Sequence, residues 1–162
     1  MAVDPENLRL AMRKWATGVT VLTTEYQGVI HGMTVNSFTS ISLEPPLVLA
    51  SLEKSTRTHG LVEKSGIFSV TILSEDQQEV SDCFAGRLSD KENRFENTDT
   101  FTLETGAPFI SGGLAGVDCR VVASYEAGTH TLFIGEVVAV WISDHPSPLL
   151  YYNRSYRRFH DS

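Results

Sequence analysis

The sequence predicts a mainly β protein with a few short helices, folded as a closed or nearly closed barrel. Apolar and polar side chains alternate over several short runs, most clearly from Val117 onward. Apolar residues at helical spacing are confined to a few short segments. Turn-forming residues recur at short intervals along the chain, which is typical of a sheet that curls on itself.

The composition indicates one soluble globular domain, covering residues 1–162. A chain of this length buries a core without a disulfide or a metal. The net charge of −7 excludes general binding to nucleic-acid phosphates. No apolar run approaches the ~20 residues that span a bilayer. The acidic start lacks the features of a signal peptide, so a cytoplasmic location is the default expectation.

Cysteines and histidines predict neither a disulfide nor a metal site. Cys83 and Cys119 form no C-x-x-C pair, and both lie among apolar residues, so we expect buried, reduced thiols. The histidines are scattered and show no ligand spacing.

The first predicted element is a helix capped by Asp4, with Pro5 as its first residue. Its apolar stripe consists of Leu8, Ala11, Met12 and Trp15. Gly18 is predicted to end it. A hairpin of strands 19–24 and 29–34 follows.

The middle of the chain contains a segment rich in hydroxyl and amide side chains, residues 32–42, which we expect to be a polar strand and turn. Pro45 and Pro46 then mark a break before a buried strand at 47–52. Ser55 is predicted to cap a helix running from Thr56 to about Lys64.

The second half is predicted to begin with a strand at 67–73 and a helix with capping-box spacing at Ser74–Gln77. Val80 and Phe84 face inward on this helix, and Gly86 ends it. A second capping box starts at Ser89. Short strands are expected at 101–103 and 108–110.

The remaining predicted elements are two long strands, a short strand and a tail. In the strand from Val117, the residues predicted inward are Val117, Cys119, Val121, Ala123 and Tyr125. The residues predicted outward are Asp118, Arg120, Ser124 and Glu126. A strand at 130–142 carries a bulge or close approach at Gly135. A short strand at 149–152 precedes a basic, aromatic tail at 153–160.

The motifs that are absent, and one polar segment that is present, limit the kinds of ligand and reaction expected of this protein. There is no G-x-G-x-x-G, P-loop, G-x-S-x-G or H-E-x-x-H, so any nicotinamide is not held on a Rossmann fold. The uncharged polar groups of 32–42 suit a flat heteroaromatic ligand. The helix start near Ser55, with Lys54 and Arg57, fits either an anion site or plain capping.

Several segments together resemble the flavin reductase-like family, from about Leu10 to about Phe159. They are Gly32 to Ser42, Pro45 to Val48, Ser55 to Thr58 and Gly128 to Val137. This family consists of short-chain NAD(P)H:flavin oxidoreductases with an FMN-binding split β-barrel. The resemblance implies hydride transfer from NADH or NADPH to FMN or FAD, a homodimer with flavin sites near its interface, and a separate oxygenase that receives the reduced flavin.

The resemblance also implies the flavin-binding residues. Those expected at the isoalloxazine and ribityl parts are Thr34, Val35, Asn36 and Ser37. Those expected along the ribityl phosphate are Ser51, Leu52, Ser55 and Thr56. A second flavin-contacting turn consists of Phe84, Ala85 and Gly86. Val35 and Phe84 could equally be core residues.

His130 is the residue that the resemblance assigns to the nicotinamide and to catalysis. Many members have Gly-Asp-His where this chain has Gly128-Thr129-His130. Thr129 removes a carboxylate that would favour protonated imidazole. From the tail, Tyr152 is expected to stack on a ring, and Arg157 to meet a pyrophosphate. The alternatives are a surface histidine and a solvated chain end.

Two other functions stay open at this point. One is an FMN-bound reductase of another acceptor, such as a corrinoid or a ferric chelate. The other is a flavin-binding module that carries the cofactor without catalysis.

Overall fold

The computed structural model describes residues 2–86, 93–145 and 147–159. Its helices are α1 (Pro5–Met12), α2 (Arg57–Ser65) and α3 (Gln78–Phe84). Its strands are β1 (Thr17–Gly18), β2 (Thr20–Tyr26), β3 (Val29–Val35), β4 (Phe38–Leu43), β5 (Pro46–Glu53), β6 (Ile67–Ile72), β7 (Thr100–Thr102), β8 (Pro108–Ile110), β9 (Ala115–Ala127), β10 (His130–Ile142), β11 (Leu150–Tyr152) and β12 (Ser155–Arg157). The predicted mainly β class is confirmed.

The main sheet is antiparallel and has seven strands in the order β3-β2-β6-β9-β10-β5-β4. Its two edge strands, β3 and β4, follow each other in the chain and are joined by Asn36 and Ser37 alone. Such a link keeps their ends within about 11 Å, so the sheet must curl until its edges approach. The edges do not pair, so the sheet is a barrel split along one seam rather than a closed barrel.

Two clusters of buried apolar residues form the core. The first lies among the strands of the main sheet and includes Leu22, Val35, Leu52, Phe68, Val70 and Phe133. The second joins the sheet to α3 and to the C-terminal hairpin, and includes Val21, Leu73, Phe84 and Leu149. The second cluster therefore fixes α3 and the hairpin β11–β12 beside the seam.

Gly135 confirms the close approach that was predicted, as an alternative to a bulge, inside the long strand β10. The register of β9 and β10 also shifts between Ile134 and Gly135, but the extra residue is Val122 of β9. A Cβ atom at position 135 would lie 2.5 Å from Cζ of Phe68 and 2.9 Å from Cβ of Cys119. Only glycine lets β10 pass this close to the core.

Helix α1 starts as predicted but ends early. The Asp4 carboxylate accepts a hydrogen bond from the Glu6 amide at 3.0 Å, and Pro5 is the first helical residue. The helix ends at Met12, and Gly18, its predicted end, lies in β1. The reason is long-range: the chain is already extended at residue 17 in order to pair with β11. None of the residues of α1 is buried.

The polar middle segment contains more strand than turn, since β4 occupies Phe38–Leu43 and pairs with β5. The predicted cap of α2 is wrong by one residue. The Thr56 hydroxyl, not that of Ser55, accepts from the His59 amide at 3.3 Å.

Helix α3 also begins later than the capping-box pattern predicts. The Gln77 side chain accepts from the Ser74 amide at 3.1 Å, but the helix starts only at Gln78. Gly86 follows the end of this helix with a φ of 72°, as expected. The second predicted capping box, at Ser89, lies outside the described residues.

The alternation predicted along β9 fails at several positions. Asp118, predicted outward, is fully buried, and its carboxylate accepts from the amide of Thr105 at 2.8 Å. The loop before β8 therefore covers this face. Ala123 and Tyr125, predicted inward, are exposed. They lie in the part of β9 that extends beyond its pairing with β6 and is paired with β10 alone.

The predicted tail is not irregular, because β12 pairs with β11 as a hairpin, although most of its described residues are exposed. Cys83 and Cys119 are free, and Cys119 is buried. No helix in the described parts of the chain is long and apolar enough to cross a bilayer.

Candidate functional site

Two neighbouring cavities lie at the seam between β3 and β4, and Asn36 lines both. The first, of about 190 Å³, is bounded by Thr34, Asn36, Ser81, Ala85, Tyr151 and Tyr156. The second, of about 300 Å³, is bounded by Trp15, Thr17, Thr20, Asn36 and Phe38. The link between the edge strands thus stands between two concave surfaces with neutral polar and aromatic walls.

The wall of the first cavity is held by hydroxyl groups. The Thr34 hydroxyl donates to the Ser81 carbonyl at 2.6 Å, which ties β3 to α3. The Tyr156 hydroxyl lies 2.8 Å from both the Ser81 hydroxyl and an Asp82 carboxylate oxygen. The Tyr156 ring packs edge-to-face on Tyr151, with centroids 5.5 Å apart.

Thr17 borders the second cavity, but its hydroxyl oxygen is not exposed there. This oxygen is buried and makes no hydrogen bond within the described residues. A buried hydroxyl without a partner costs free energy.

Ser37 and Ser51 join the start of β4 to β5. The Ser37 hydroxyl donates to the Ser51 carbonyl at 2.8 Å, and the Ser51 amide donates back to the Ser37 carbonyl at 3.0 Å. Leu52 is fully buried in the core, so its side chain does not face the seam surface. Val35 is also core, with 5% of its surface exposed.

The start of α2 lies beside β3. His31 on β3 and Thr58 on α2 are joined by a hydrogen bond of 2.8 Å between Nδ1 and Oγ1. Burial, and then the positive charges of Arg94 and Arg57, lower the pKa of His31 to about 4. The imidazole is therefore neutral at pH 7 within a positive electrostatic field. Ser55 is exposed just before this helix.

The turn after α3 is partly core and partly surface. The Phe84 side chain is fully buried and packs edge-on against Phe95, with centroids 5.0 Å apart. Ala85 and Gly86 are exposed, and Ala85 lines the first cavity. Any ligand contact by Phe84 in this structure would come from its backbone.

His130 is the first residue of β10, where it is paired with Glu53 of β5 and with Ala127 of β9. Its Nδ1 atom lies 2.9 Å from the Thr129 hydroxyl. The next residue, Thr131, is hydrogen-bonded to His59 of α2 at 2.8 Å. These contacts connect His130 to the elements around the start of α2, while no described contact connects it to the two cavities.

The C-terminal hairpin brings different residues to the site from those predicted. Tyr151 and Tyr156 form a cross-strand pair and line the first cavity. Tyr152 is their neighbour and is half-buried, and Arg157 is exposed on β12. Sequence reasoning missed Tyr151 and Tyr156 because it treated this hairpin as a tail. The available signal was that Tyr151 and Tyr152 are neighbours in a strand, so that their side chains point to opposite faces and only one of them can line a given cavity.

The described ranges contain no candidate metal site. No three of their His, Cys, Asp and Glu residues are grouped so that they could hold a metal ion.

Comparison with known proteins identifies the class to which this fold and site belong. A family model described as "Flavin reductase like domain" matches residues 12–160. The "NADH-dependent flavin reductase" of Rhodococcus sp is 39% identical over 96% of this chain and 86% of its own length. The "NADH-dependent flavin reductase StyB" of Pseudomonas fluorescens is 40% identical over 95% of this chain and 89% of its own.

Solved structures agree with the sequence relatives. "Flavin reductase PheA2 in native state" has a TM-score of 0.90 and 41% identity, covering 98% of this chain and 100% of that one. The oxidoreductase SgcE6 of Streptomyces globisporus, solved "in complex with NAD and FAD fragments", has a TM-score of 0.89 and 35% identity, covering 99% and 97%. The chain belongs to the flavin reductase-like family, and the predicted resemblance is confirmed.

Proposed function

We propose that this protein is an NAD(P)H:flavin oxidoreductase that transfers a hydride from NADH or NADPH to FMN or FAD. The neutral, hydroxyl- and aromatic-lined seam between β3 and β4 is the observation that carries this proposal. Two relatives of similar length are named as NADH-dependent, which favours NADH as the donor.

The residues of the seam fit a flavin ring system. Ligand pockets are mostly apolar and contain a few placed polar groups, and both cavities match this description. The exposed Asn36 side chain borders both cavities, so its amide is available to ring heteroatoms. The Tyr151–Tyr156 pair offers an aromatic wall. The implied contacts of Thr34 and Ser37 are compatible with their positions at this seam.

The start of α2 is the place proposed for the flavin phosphate. Its first backbone N–H groups and its helix dipole favour an anion. The first turn has no acidic residue, and Arg57 lies in it. Ser55 and Thr56 lie at this helix start, and His31, which is neutral at pH 7, adds no charge to the positive field of Arg57 and Arg94. Ser51 is the residue proposed between this position and the seam.

The chain's own task in this reaction is positioning. Flavin and nicotinamide supply the hydride chemistry, and the protein must bring the reacting atoms to roughly 3–3.5 Å. We assign nicotinamide contact to His130, which is half-buried at the start of β10. Tyr152 and Arg157 are assigned to the same dinucleotide.

The reduced flavin is proposed to pass to a separate oxygenase. The relative named "Flavin-dependent monooxygenase, reductase subunit HsaB", from Rhodococcus jostii, is 37% identical over 96% of this chain. The "FADH(2)-dependent resorcinol hydroxylase, reductase component" of a Rhizobium strain is 40% identical over 93%. Both names favour a two-component system over a corrinoid or ferric-chelate reductase. A cytoplasmic location belongs to the proposal and fits the free thiols.

A homodimer is part of the same proposal. Helix α1 has no buried residue, and Leu8, Met12 and Trp15 are 58%, 56% and 68% exposed. A helix that shows its apolar side to water is a poor arrangement for a monomer. A second copy is the proposed occupant, because Trp15 also borders the second cavity, so that pairing there would complete the flavin site.

The test is a turnover assay with purified protein, NADH and an excess of FMN or FAD, followed at the nicotinamide absorbance band. Many molecules of NADH should be oxidised per protein molecule, with light scattering reporting the mass of a dimer. Flavin binding without NADH oxidation would instead identify a flavin carrier and overturn the proposed activity.

A further inference from the structure

Arg94 connects the edge strand β3 to the end of helix α3. Its Nη1 atom donates to the Gly32 carbonyl at 2.9 Å and to the Phe84 carbonyl at 2.8 Å. The Phe84 carbonyl is the last of α3, where carbonyls lack partners within the helix. One guanidinium group therefore satisfies acceptors from two different elements.

The two residues that Arg94 joins also pack directly on each other. A Cβ atom at Gly32 would lie 3.1 Å from Cε1 of Phe84 and 2.9 Å from Cγ2 of Thr23. The Phe84 ring is thus pressed against bare backbone of β3. Thr34, two residues along the same strand, is tied to α3 through the Ser81 carbonyl at 2.6 Å.

Together these contacts set where the exposed turn Ala85–Gly86 stands relative to the seam. The turn follows the Phe84 carbonyl directly, and Nη2 of Arg94 would lie 3.4 Å from a Cβ atom at Gly86. Its position therefore depends on the fork of bonds that Arg94 makes. A planar guanidinium can hold two acceptors in one fixed geometry, whereas an ammonium group acts as a compact point charge.

Arg94 also acts across β3 toward the start of α2. Burial is the main cause that lowers the pKa of His31 to about 4, and the charges of Arg94, from the segment after α3, and of Arg57, from α2 itself, lower it further. His31 is hydrogen-bonded to Thr58, close to the proposed phosphate position. One side chain thus influences both the turn at the first cavity and the charge beside the helix start.

We propose that Arg94 is a positioning residue for flavin: it clamps the Ala85–Gly86 turn against β3 and maintains the positive field beside His31. This inference rests on the proposed flavin site and assigns the arginine no contact with the reacting atoms. Loss of Arg94 should weaken flavin binding more than it changes the KM for NADH measured at saturating flavin.

The test compares Arg94→Gln and Arg94→Lys with a control, Arg120→Gln, whose side chain is exposed on β9. Flavin affinity is measured by fluorescence titration with FMN and FAD. The His31 imidazole is titrated by NMR in flavin-free protein, and thermal unfolding reports folding. Arg94→Gln should weaken flavin binding by about tenfold or more, through loss of two charge-assisted bonds, and should raise the pKa of His31.

Arg94→Lys keeps the positive charge but lacks the planar guanidinium that bonds both carbonyls. The pKa of His31 should therefore stay low while flavin binding still weakens. Wild-type flavin affinity in a folded Arg94→Lys protein, or an unmoved His31 in Arg94→Gln, would overturn the inference. If Arg94→Gln fails to fold, the affinity of Arg94→Lys decides. Failure of the wild-type protein itself to bind flavin would overturn the proposed function instead.

Discussion

The Tyr156 hydroxyl lies 2.8 Å from the Ser81 hydroxyl, so the C-terminal hairpin and helix α3 meet at the wall of the first cavity. These residues are far apart in the chain, and the contact closes one side of the seam. It is also the contact on which the aromatic character of the site depends, because it orients the Tyr156 ring.

Tyr156→Phe and Tyr156→Ala should separate the hydroxyl from the ring. We expect Tyr156→Phe to weaken flavin binding a few-fold, since one hydrogen bond is worth about 1 kcal/mol. Tyr156→Ala should weaken it further, because the aromatic wall is lost as well. Fluorescence titration measures both affinities, with Tyr125→Ala, an exposed tyrosine on β9, as the matched control. Equal flavin affinity in all three variants would show that Tyr156 does not contribute to flavin binding.

His130→Ala should raise the KM for NADH by about tenfold, as expected for loss of a ligand contact worth roughly 1.4 kcal/mol. Flavin affinity should change little, because the described contacts of His130 lie at the start of β10, with Thr129 and Glu53, rather than at the seam. Steady-state kinetics at saturating flavin and a separate flavin titration measure the two effects. A fall in flavin affinity with an unchanged KM would contradict the assigned role.

Gly135→Ala should destabilise the fold by about 2 kcal/mol or more, because overpacking a rigid core forces the backbone to move. The added Cβ atom would meet Cζ of Phe68 at 2.5 Å. The matched control is Gly60→Ala in α2, where a Cβ atom has nothing within 4 Å. That change should be neutral or stabilise by up to about 1 kcal/mol through helix propensity. Urea unfolding measures both, and equal stabilities would be inconsistent with the close approach.

His31 should make the folded protein sensitive to acid. The pKa of this histidine is lowered from 6.5 to about 4, so the unfolded chain binds more protons between these pH values. Its contribution to stability is therefore complete above pH 6.5 and is lost as the pH falls toward 4. His31→Gln keeps a group that can bond Thr58 but cannot titrate. Urea unfolding from pH 7 to 4 should show a smaller loss of unfolding free energy in this variant than in wild type. Equal losses in the two proteins would contradict the lowered pKa of His31.

Much of the fold could be predicted from local pattern. The hairpin of β2 and β3, the bounds of β10 and the close approach at Gly135 follow from alternation, turn residues and one glycine within an apolar strand. The failures share a cause. Where α1 ends depends on the pairing of Thr17 with Tyr151, which lies at the other end of the chain. Asp118 is buried only because a distant loop supplies donors to its carboxylate.

The candidate site divides in the same way. Family resemblance pointed to Thr34, Asn36, Ser37, Thr56 and Ala85, which the structure distributes around the seam and the start of α2. It could not show that the side chains of Val35, Leu52 and Phe84 belong to the core. The resemblance also did not point to Arg94. Its proposed positioning role depends on the carbonyl oxygens of Gly32 and Phe84, which only folding brings together.

The mainly β class, the order of most elements and membership of the flavin reductase-like family could be predicted from the sequence alone, because they depend on neighbouring residues and on short motifs. Which side chains border the cavities depends on tertiary contacts. The cross-strand pairing of Tyr151 with Tyr156, the clamp at Arg94 and the split between β3 and β4 are all set by contacts between residues far apart in the chain. Such contacts leave no periodic trace in the sequence, since each depends on the register of whole strands.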